Sequence, residues 1–284
     1  MTEGNPAFKN ADPANVVGFA KEWAAFDQSA LQGSEYQKLF DGYFAIFPFG
    51  DLPPDSEGFD VGCGSGRWAE GVAPRVGTLH CIEVSAEALD VARARLARFD
   101  NVRFHLASIE DIPLEDESQD FGYSLGVLHH VPDAAEALRE CVRKLKPGAP
   151  FLVYVYYALE DRPAWYRGLF RLSDVARKSI ARLPFRARRL VTEAIAAGLY
   201  YPLARTSRLL ESLGADVSRL PLSFYRNSSF YTMRTDALNR FGTAFVKRFS
   251  RDEIEAMMES AGLTGIRFSE RLPHWVAVGR RGRA

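Results

Sequence analysis

Asp60-Val61-Gly62-Cys63-Gly64-Ser65-Gly66 is the stretch on which the reading of this chain turns. Phe59 to Gly62 is a short apolar strand that runs into glycines. Glycines at such a point let the backbone take angles closed to other residues and approach a ligand closely. The helix that follows offers free N–H groups at its first turn. Thr78 to Val84 reads as the next strand, and Glu83 near its end lies 21 residues beyond Gly62, where a carboxylate can accept both hydroxyls of a ribose. A glycine turn that merely packs a helix on a sheet, with Glu83 as a solvated strand end, is the plainer alternative. The joint spacing favours an adenosine-bearing ligand.

The details of the loop narrow the ligand. A dinucleotide site wants G-x-G-x-x-G, but Arg67 stands where the third glycine belongs and the glycine is Gly66. Asp60, directly before the loop, is ill suited to a pyrophosphate and well suited to an ammonium group. A nicotinamide-dependent oxidoreductase is therefore the second reading, and a noncatalytic protein that keeps the fold is the third.

Farther out, the pattern alternates. Residues 14–27 and 34–47 read as two N-terminal helices before DLPPDSEG. Ser85 caps a helix through Phe99, and Val102 to Leu106 and Phe121 to Leu125 are strands. Asp133 with Glu136 predicts a capping box on a helix running to Lys146. Phe151 to Tyr157 suits a strand buried on both faces. Ser250 and Glu253 form a second capping box, and Gly265 to Glu270 and His274 to Gly279 are two last strands joined by a turn at Pro273. This predicts an α/β fold, a Rossmann-like seven-stranded, mostly parallel sheet with helices on both faces. The expected layout is N-terminal helices over 1–57, a core over 58–159, a mainly helical insertion over 160–249 between strand 5 and the last helix, and core again over 250–284.

At this point the chain resembles the class I S-adenosylmethionine-dependent methyltransferases. DVGCGSGRWA is similar to their first motif, IEVS to their ribose-acid motif, ASIEDIPL to their adenine-contacting motif, DFGYSLGVLHHVPD to their strand-4 motif and LKPGAPFLV to their strand-5 entry. The resemblance covers about 58–157 and 250–280. It implies S-adenosylmethionine as cofactor and methyl transfer to oxygen or nitrogen of a small-molecule, glycan or lipid-linked acceptor. Asp60 would meet the methionine ammonium, and Gly62, Cys63, Gly64, Ser65 and Gly66 would let the backbone pass the methionine and ribose. Glu83 would bind the ribose hydroxyls, Val84 would pack on adenine, Ser108 and Ile109 would meet the adenine edge, and Leu125 would lie near the methionine chain. Many relatives have Asp where Ser108 stands, which leaves the adenine amino group to backbone oxygen or Glu110. Aminopropyltransferases share the sheet but want clustered acids after strand 4, and His129-His130 stands there instead. No N-P-P-Y amide clamp of the protein or nucleic-acid methylating kind follows strand 4.

Methyl transfer mainly requires alignment and exclusion of water, with a base only where the nucleophile must lose a proton. His130 and His129 are the candidate bases, His130 preferred; the competing role is structural, one ring bonded to backbone. Phe19, Trp23 and Phe26 share a helix face that is either core or a cover for the donor pocket. Trp23 joins Tyr157, Arg226, Tyr231 and Arg234 as candidate substrate contacts. The last three lie in SFYRNSSFYTMRTDALNRFG, read as a binding loop without clear period.

Composition sets the outer bounds. The chain has 284 residues, 47% hydrophobic and 25% charged, and its 36 basic residues balance 36 acidic ones, so net charge gives no reason to expect a nucleic-acid partner. The charge is unevenly placed. Residues 1–161 carry 13 Lys and Arg against 26 Asp and Glu, whereas 162–219 carry 12 against 4. The basic insertion reads as an acceptor lid, a surface for peripheral membrane contact, or an oligomer contact. Three cysteines without metal spacing, no metal cluster, no signal segment and no run of about 18 apolar residues predict a soluble, cytoplasmic chain.

Overall fold

A computed structural model describes residues 16–19, 22–23, 31, 33–160, 162–218, 220–243, 245–270 and 274–283. The chain divides into two compact units. One holds 39–158 and 245–284 with the described residues between 16 and 23; the other holds 159–244 with the segment up to Lys38.

The first unit is built on seven strands: β1 (Glu57–Val61), β2 (Thr78–Glu83), β3 (Val102–Leu106), β4 (Phe121–Leu125), β5 (Pro150–Tyr156), β6 (Leu263–Phe268) and β7 (His274–Arg281). Their order is β3-β2-β1-β4-β5-β7-β6. The first five run parallel, and β7 is antiparallel to both neighbours. The predicted sheet is the observed one. Strand order reverses between β1 and β4, the place where open α/β sheets bind ligands beyond their carboxyl ends.

Local chemistry accounts for the helices. α1 (Gly33–Tyr43) stops four residues short of the expected 47, because Phe44 and Phe47 turn inward and pack edge-on with ring centroids 5.8 Å apart. α2 (Ala69–Val72) follows the glycine loop. α3 (Ala86–Leu96) starts where Ser85 Oγ accepts from Ala88 N at 3.2 Å. α4 (Ala134–Lys144) has half of its predicted capping box: Asp133 accepts from Glu136 N at 3.0 Å, but the Glu136 carboxylate accepts from Arg139 at 2.9 Å instead of reaching back. Its Ala137, Leu138, Cys141 and Val142 are buried on the sheet, and a Leu so buried contributes about 2 kcal/mol.

The second unit holds α5 (Ala164–Ile180), α6 (Phe185–Ile195), α7 (Tyr201–Ser212) and α8 (Phe230–Gly242). One π-type turn, Ala196–Tyr200, joins α6 to α7 just before Pro202, absorbing the proline without a break. α8 corrects the loop reading of 223–242. Ser229 caps it, accepting from Thr232 N at 3.2 Å, and Met233, Ala237 and Phe241 are buried at helical spacing against Tyr200 and Ala204. Glu35 reinforces that start, accepting from Ser229 N at 2.9 Å and Thr232 Oγ1 at 2.8 Å. At the other end Arg177 donates to Thr243 O at 2.6 Å and Arg188 to Gly242 O at 2.7 Å, placing cations on a helix C-terminus.

The final helix, α9 (Arg251–Ser260), has both halves of the capping box at Ser250 and Glu253. The turn expected at Pro273 lies outside the described residues, as does Phe26. Among the described residues no helix is long and apolar enough to cross a membrane.

Candidate functional site

The loop after β1 and the loop after β4 meet at the switch point. Gly62, Gly64 and Gly66 have φ of 73°, 54° and 71°. A Cβ on Gly62 would meet Val127 Cγ2 at 2.3 Å, and one on Gly64 would meet the Trp23 indole at 3.1 Å. The turn therefore needs glycine for its angle and for the close approach of neighbours. Trp23 lies over the loop, and Phe19, four residues before it, sets its ring 4.9 Å from that of His130. Two members of the N-terminal aromatic stripe thus meet the two predicted loops.

Two carboxyl groups flank the turn. Asp60 is 2% exposed, and its Oδ2 has no hydrogen-bond partner. Tyr123, its register neighbour on β4, faces it closely enough to ease its ionisation but without a well-formed hydrogen bond. Burial dominates, Glu83 adds repulsion, and the Asp60 pKa is pushed up to about 8. Glu83 closes the loop from the other side. Its carboxylate accepts from Gly64 N at 2.9 Å, Val84 N at 3.0 Å and Ser85 N at 3.1 Å. Desolvation outweighs those three donors, so its pKa is raised as well.

Ser65 is buried with an unpartnered Oγ, whereas Cys63 and Cys81 are buried free thiols, and the neighbouring Cys81 together with burial pushes the Cys63 thiol well above its ordinary range. Ser108 accepts from Glu110 N at 3.3 Å in the loop after β3, where Ile109 is buried, and Leu125 is buried at the end of β4. These residues fit S-adenosylmethionine: Asp60 offers a buried, unsatisfied acceptor for an ammonium, Glu83 an oriented carboxylate for ribose, and the glycine loop a bare backbone. Two acids around the loop oppose a pyrophosphate.

The histidines differ from one another. His130 Nδ1 donates to Phe245 O at 3.1 Å, which fixes the hydrogen on Nδ1 and leaves Nε2 as the acceptor nitrogen of the neutral ring. His129 is fully buried and stacked on Tyr156, ring centroids 4.0 Å apart. Tyr154 and Tyr156 project from the same side of β5, and Tyr154 also meets Tyr43 at 4.8 Å. Sequence reasoning did not single out Tyr123, Phe245 or this tyrosine pair; the alternation in FLVYVYY was the signal for the last.

The remaining candidates have partners of their own. Tyr157 is buried, pairs with Phe249 and packs on Trp275 at 6.0 Å. In the second unit Arg226 is ion-paired to Glu211 at 2.8 Å and donates to Ser223 O at 3.0 Å, while Arg234 lies over the ring of Tyr231 at 5.4 Å on α8.

Comparison with known proteins agrees with this geometry. Residues 59–153 match the family model of a methyltransferase domain. The ubiquinone biosynthesis O-methyltransferase of Xanthomonas oryzae pv. oryzae is 31% identical over 179 residues, 62% of this chain and 71% of that protein. The enzyme of the same name from Alkalilimnicola ehrlichii is 40% identical over 91 residues, 31% of this chain and 37% of that one. An uncharacterized methyltransferase of Bacillus subtilis, YcgJ, is 34% identical over 104 residues, 36% of this chain and 41% of the relative. The chain thus spans well under half the length of several curated relatives it matches. Among solved structures, DhpI in complex with SAH superposes with a TM-score of 0.56 at 14% identity, covering 95% of this chain and 97% of that one. The CurJ carbon methyltransferase gives 0.55 at 12% identity over 96% and 61%. At those identities the likeness is one of fold.

Proposed function

The chain belongs to the class I S-adenosylmethionine-dependent methyltransferases, and on that premise we propose that it transfers a methyl group to a hydroxyl oxygen of a small molecule. The observation that carries the reading is the pair of carboxyls, Asp60 buried with an unpartnered oxygen and Glu83 half-buried, set around a glycine turn whose left-handed backbone has room for no Cβ. When bound, the sulfonium of the donor supplies the methyl. Asp60 holds the donor's ammonium, Glu83 its ribose hydroxyls, and Gly62 and Gly64 keep the path along the loop clear. Trp23 and Phe19 shield the loops from water, which favours displacement at a charged sulfur.

The choice of oxygen rests on His130. A base matters where a hydroxyl must lose its proton, and a ring whose Nδ1–H is committed to Phe245 O presents Nε2 as acceptor. The similarity to O-methyltransferases of ubiquinone biosynthesis supports the same atom. Tyr154 and Tyr156 offer an aromatic wall beside His129 suited to a flat acceptor.

The test is to incubate the purified protein with S-adenosylmethionine and matched phenols, amines and thiols, following S-adenosylhomocysteine and acceptor mass. Methylated phenol is the expected product. Turnover of amines alone overturns the oxygen assignment, and absence of donor binding by calorimetry overturns the donor reading itself.

A further inference from the structure

Helix α5 of the second unit carries apolar residues on two opposite sides. Tyr166, Phe170, Ser173, Arg177 and Ile180 follow helical spacing on the covered side. On the other side Trp165, Leu169, Leu172 and Val175 are 57%, 51%, 67% and 63% exposed. Gly168 and Ala176 continue that exposed stripe, so no polar side chain interrupts it between Trp165 and Ala176. At 1.5 Å per residue it runs about 15 Å along the helix. A surface helix needs one apolar face for its own core, and a second, continuous one marks an interaction surface.

The charges beside the stripe say what covers it. Arg171 and Lys178 stand two turns apart along one flank and Arg182 follows in the turn just past the helix end, all exposed. Between Arg162 and Ile195 there are nine basic residues and two acidic ones. Both acids are already engaged: Asp174 with Arg177 at 2.6 Å and with Lys178 at 3.8 Å, and Glu193 with Arg189 at 3.1 Å. A second copy laid stripe to stripe would bring two cationic flanks together with no acid in the segment left to offset them. A surface of anionic lipid satisfies both halves of the pattern.

We infer that α5 docks this chain on anionic membrane surfaces. Trp165, Leu169, Leu172 and Val175 enter the boundary between headgroups and acyl chains, and Arg171, Lys178 and Arg182 pair with lipid phosphates. The contact is peripheral and reversible, and it is independent of the methyl-donor site.

The test uses the full chain and sedimentation with vesicles of phosphatidylcholine alone or with about one third phosphatidylglycerol. The expected result is capture by the anionic vesicles only, weakening as salt rises. Replacing Arg171, Lys178 and Arg182 together by Gln should lower vesicle affinity about a hundredfold, at about fivefold per cation. Leu169→Ser with Leu172→Ser should lower it at least tenfold, with circular dichroism unchanged because both side chains are exposed. Equal capture by neutral vesicles, no capture at all, or undiminished capture of the Gln variant overturns the inference. So does a dimer in sedimentation equilibrium that the Ser pair dissolves, which assigns the stripe to a second copy.

Discussion

Cofactor affinity should trace a bell against pH with its maximum near 8. Burial pushes the Asp60 carboxyl up to about 8, so at pH 7 the empty protein carries a proton there. A donor ammonium needs the carboxylate, and binding must displace that proton. Well below pH 8 each pH unit costs a factor of ten, about 1.4 kcal/mol, and because Asp60 and the donor ammonium are each only about half in the binding form at pH 8, affinity at pH 6 should be about 20-fold below that at pH 8. Above pH 8 the donor's own α-amino group, with an ordinary pKa of about 7.7–8.0, loses its charge and affinity falls again. Asp60→Asn flattens the acid arm. Its cost should be greatest at pH 8 and nearly vanish at pH 6, where deprotonation already takes about 2.7 kcal/mol, close to the roughly 1.5–3 kcal/mol of a charge-assisted hydrogen bond. Titration calorimetry at pH 6, 7 and 8, in two buffers of different ionisation enthalpy, reads both quantities. About one proton should leave per donor bound at pH 6. Affinity independent of pH with no proton released would refute the pairing of Asp60 with the ammonium.

Glu83→Ala should weaken donor binding by about 1.5–3 kcal/mol for each ribose bond that water does not replace, again by calorimetry. Gly62→Ala should destabilise the fold by about 2–4 kcal/mol in urea unfolding, the sum of a left-handed backbone penalty and a collision with Val127. His130→Ala should lower kcat by about 10²–10⁴ while donor affinity holds; turnover within a few-fold of the parent would make the ring structural. His105, hydrogen-bonded to His80 at 2.8 Å, has its pKa lowered by desolvation and by the charge on His80. Its folded state thus resists protonation, so its contribution is whole above its ordinary range and lost as pH falls through it. The urea midpoint should therefore drop from pH 7 to 5, and drop less in His105→Gln.

The parts of this molecule that read cleanly from sequence are those where one local rule governs. Ser250 and Glu253 cap because both partners lie three residues apart on an exposed turn, and the loop glycines follow from backbone geometry alone. Asp133 shows the limit: the same spacing forms half a box once Arg139 offers Glu136 a cation. α8 was hidden because its buried face, Met233, Ala237 and Phe241, is diluted by Thr232 and Thr235, polar residues that are also buried, the first donating to distant Glu35 and the second to the backbone of its own helix. The donor side of the site was legible as motif. The Tyr123–Asp60 approach and the Phe245 bond to His130 were not, since they join residues 63 and 115 positions apart whose proximity only the folded sheet creates.

The excursion out of the sheet leaves and returns through one doorway. Tyr157 bridges to Phe249, and Ala158 N donates to Phe249 O at 2.8 Å, so the chain that departs after β5 is stitched to the chain that comes back before α9. Because its two feet share hydrogen bonds, the ends of the excursion are already closed, and added length between them costs little further closure entropy. The departing and returning segments are thus held together just past the end of β5, so the frame that carries the donor loops closes on itself independently of the residues between them.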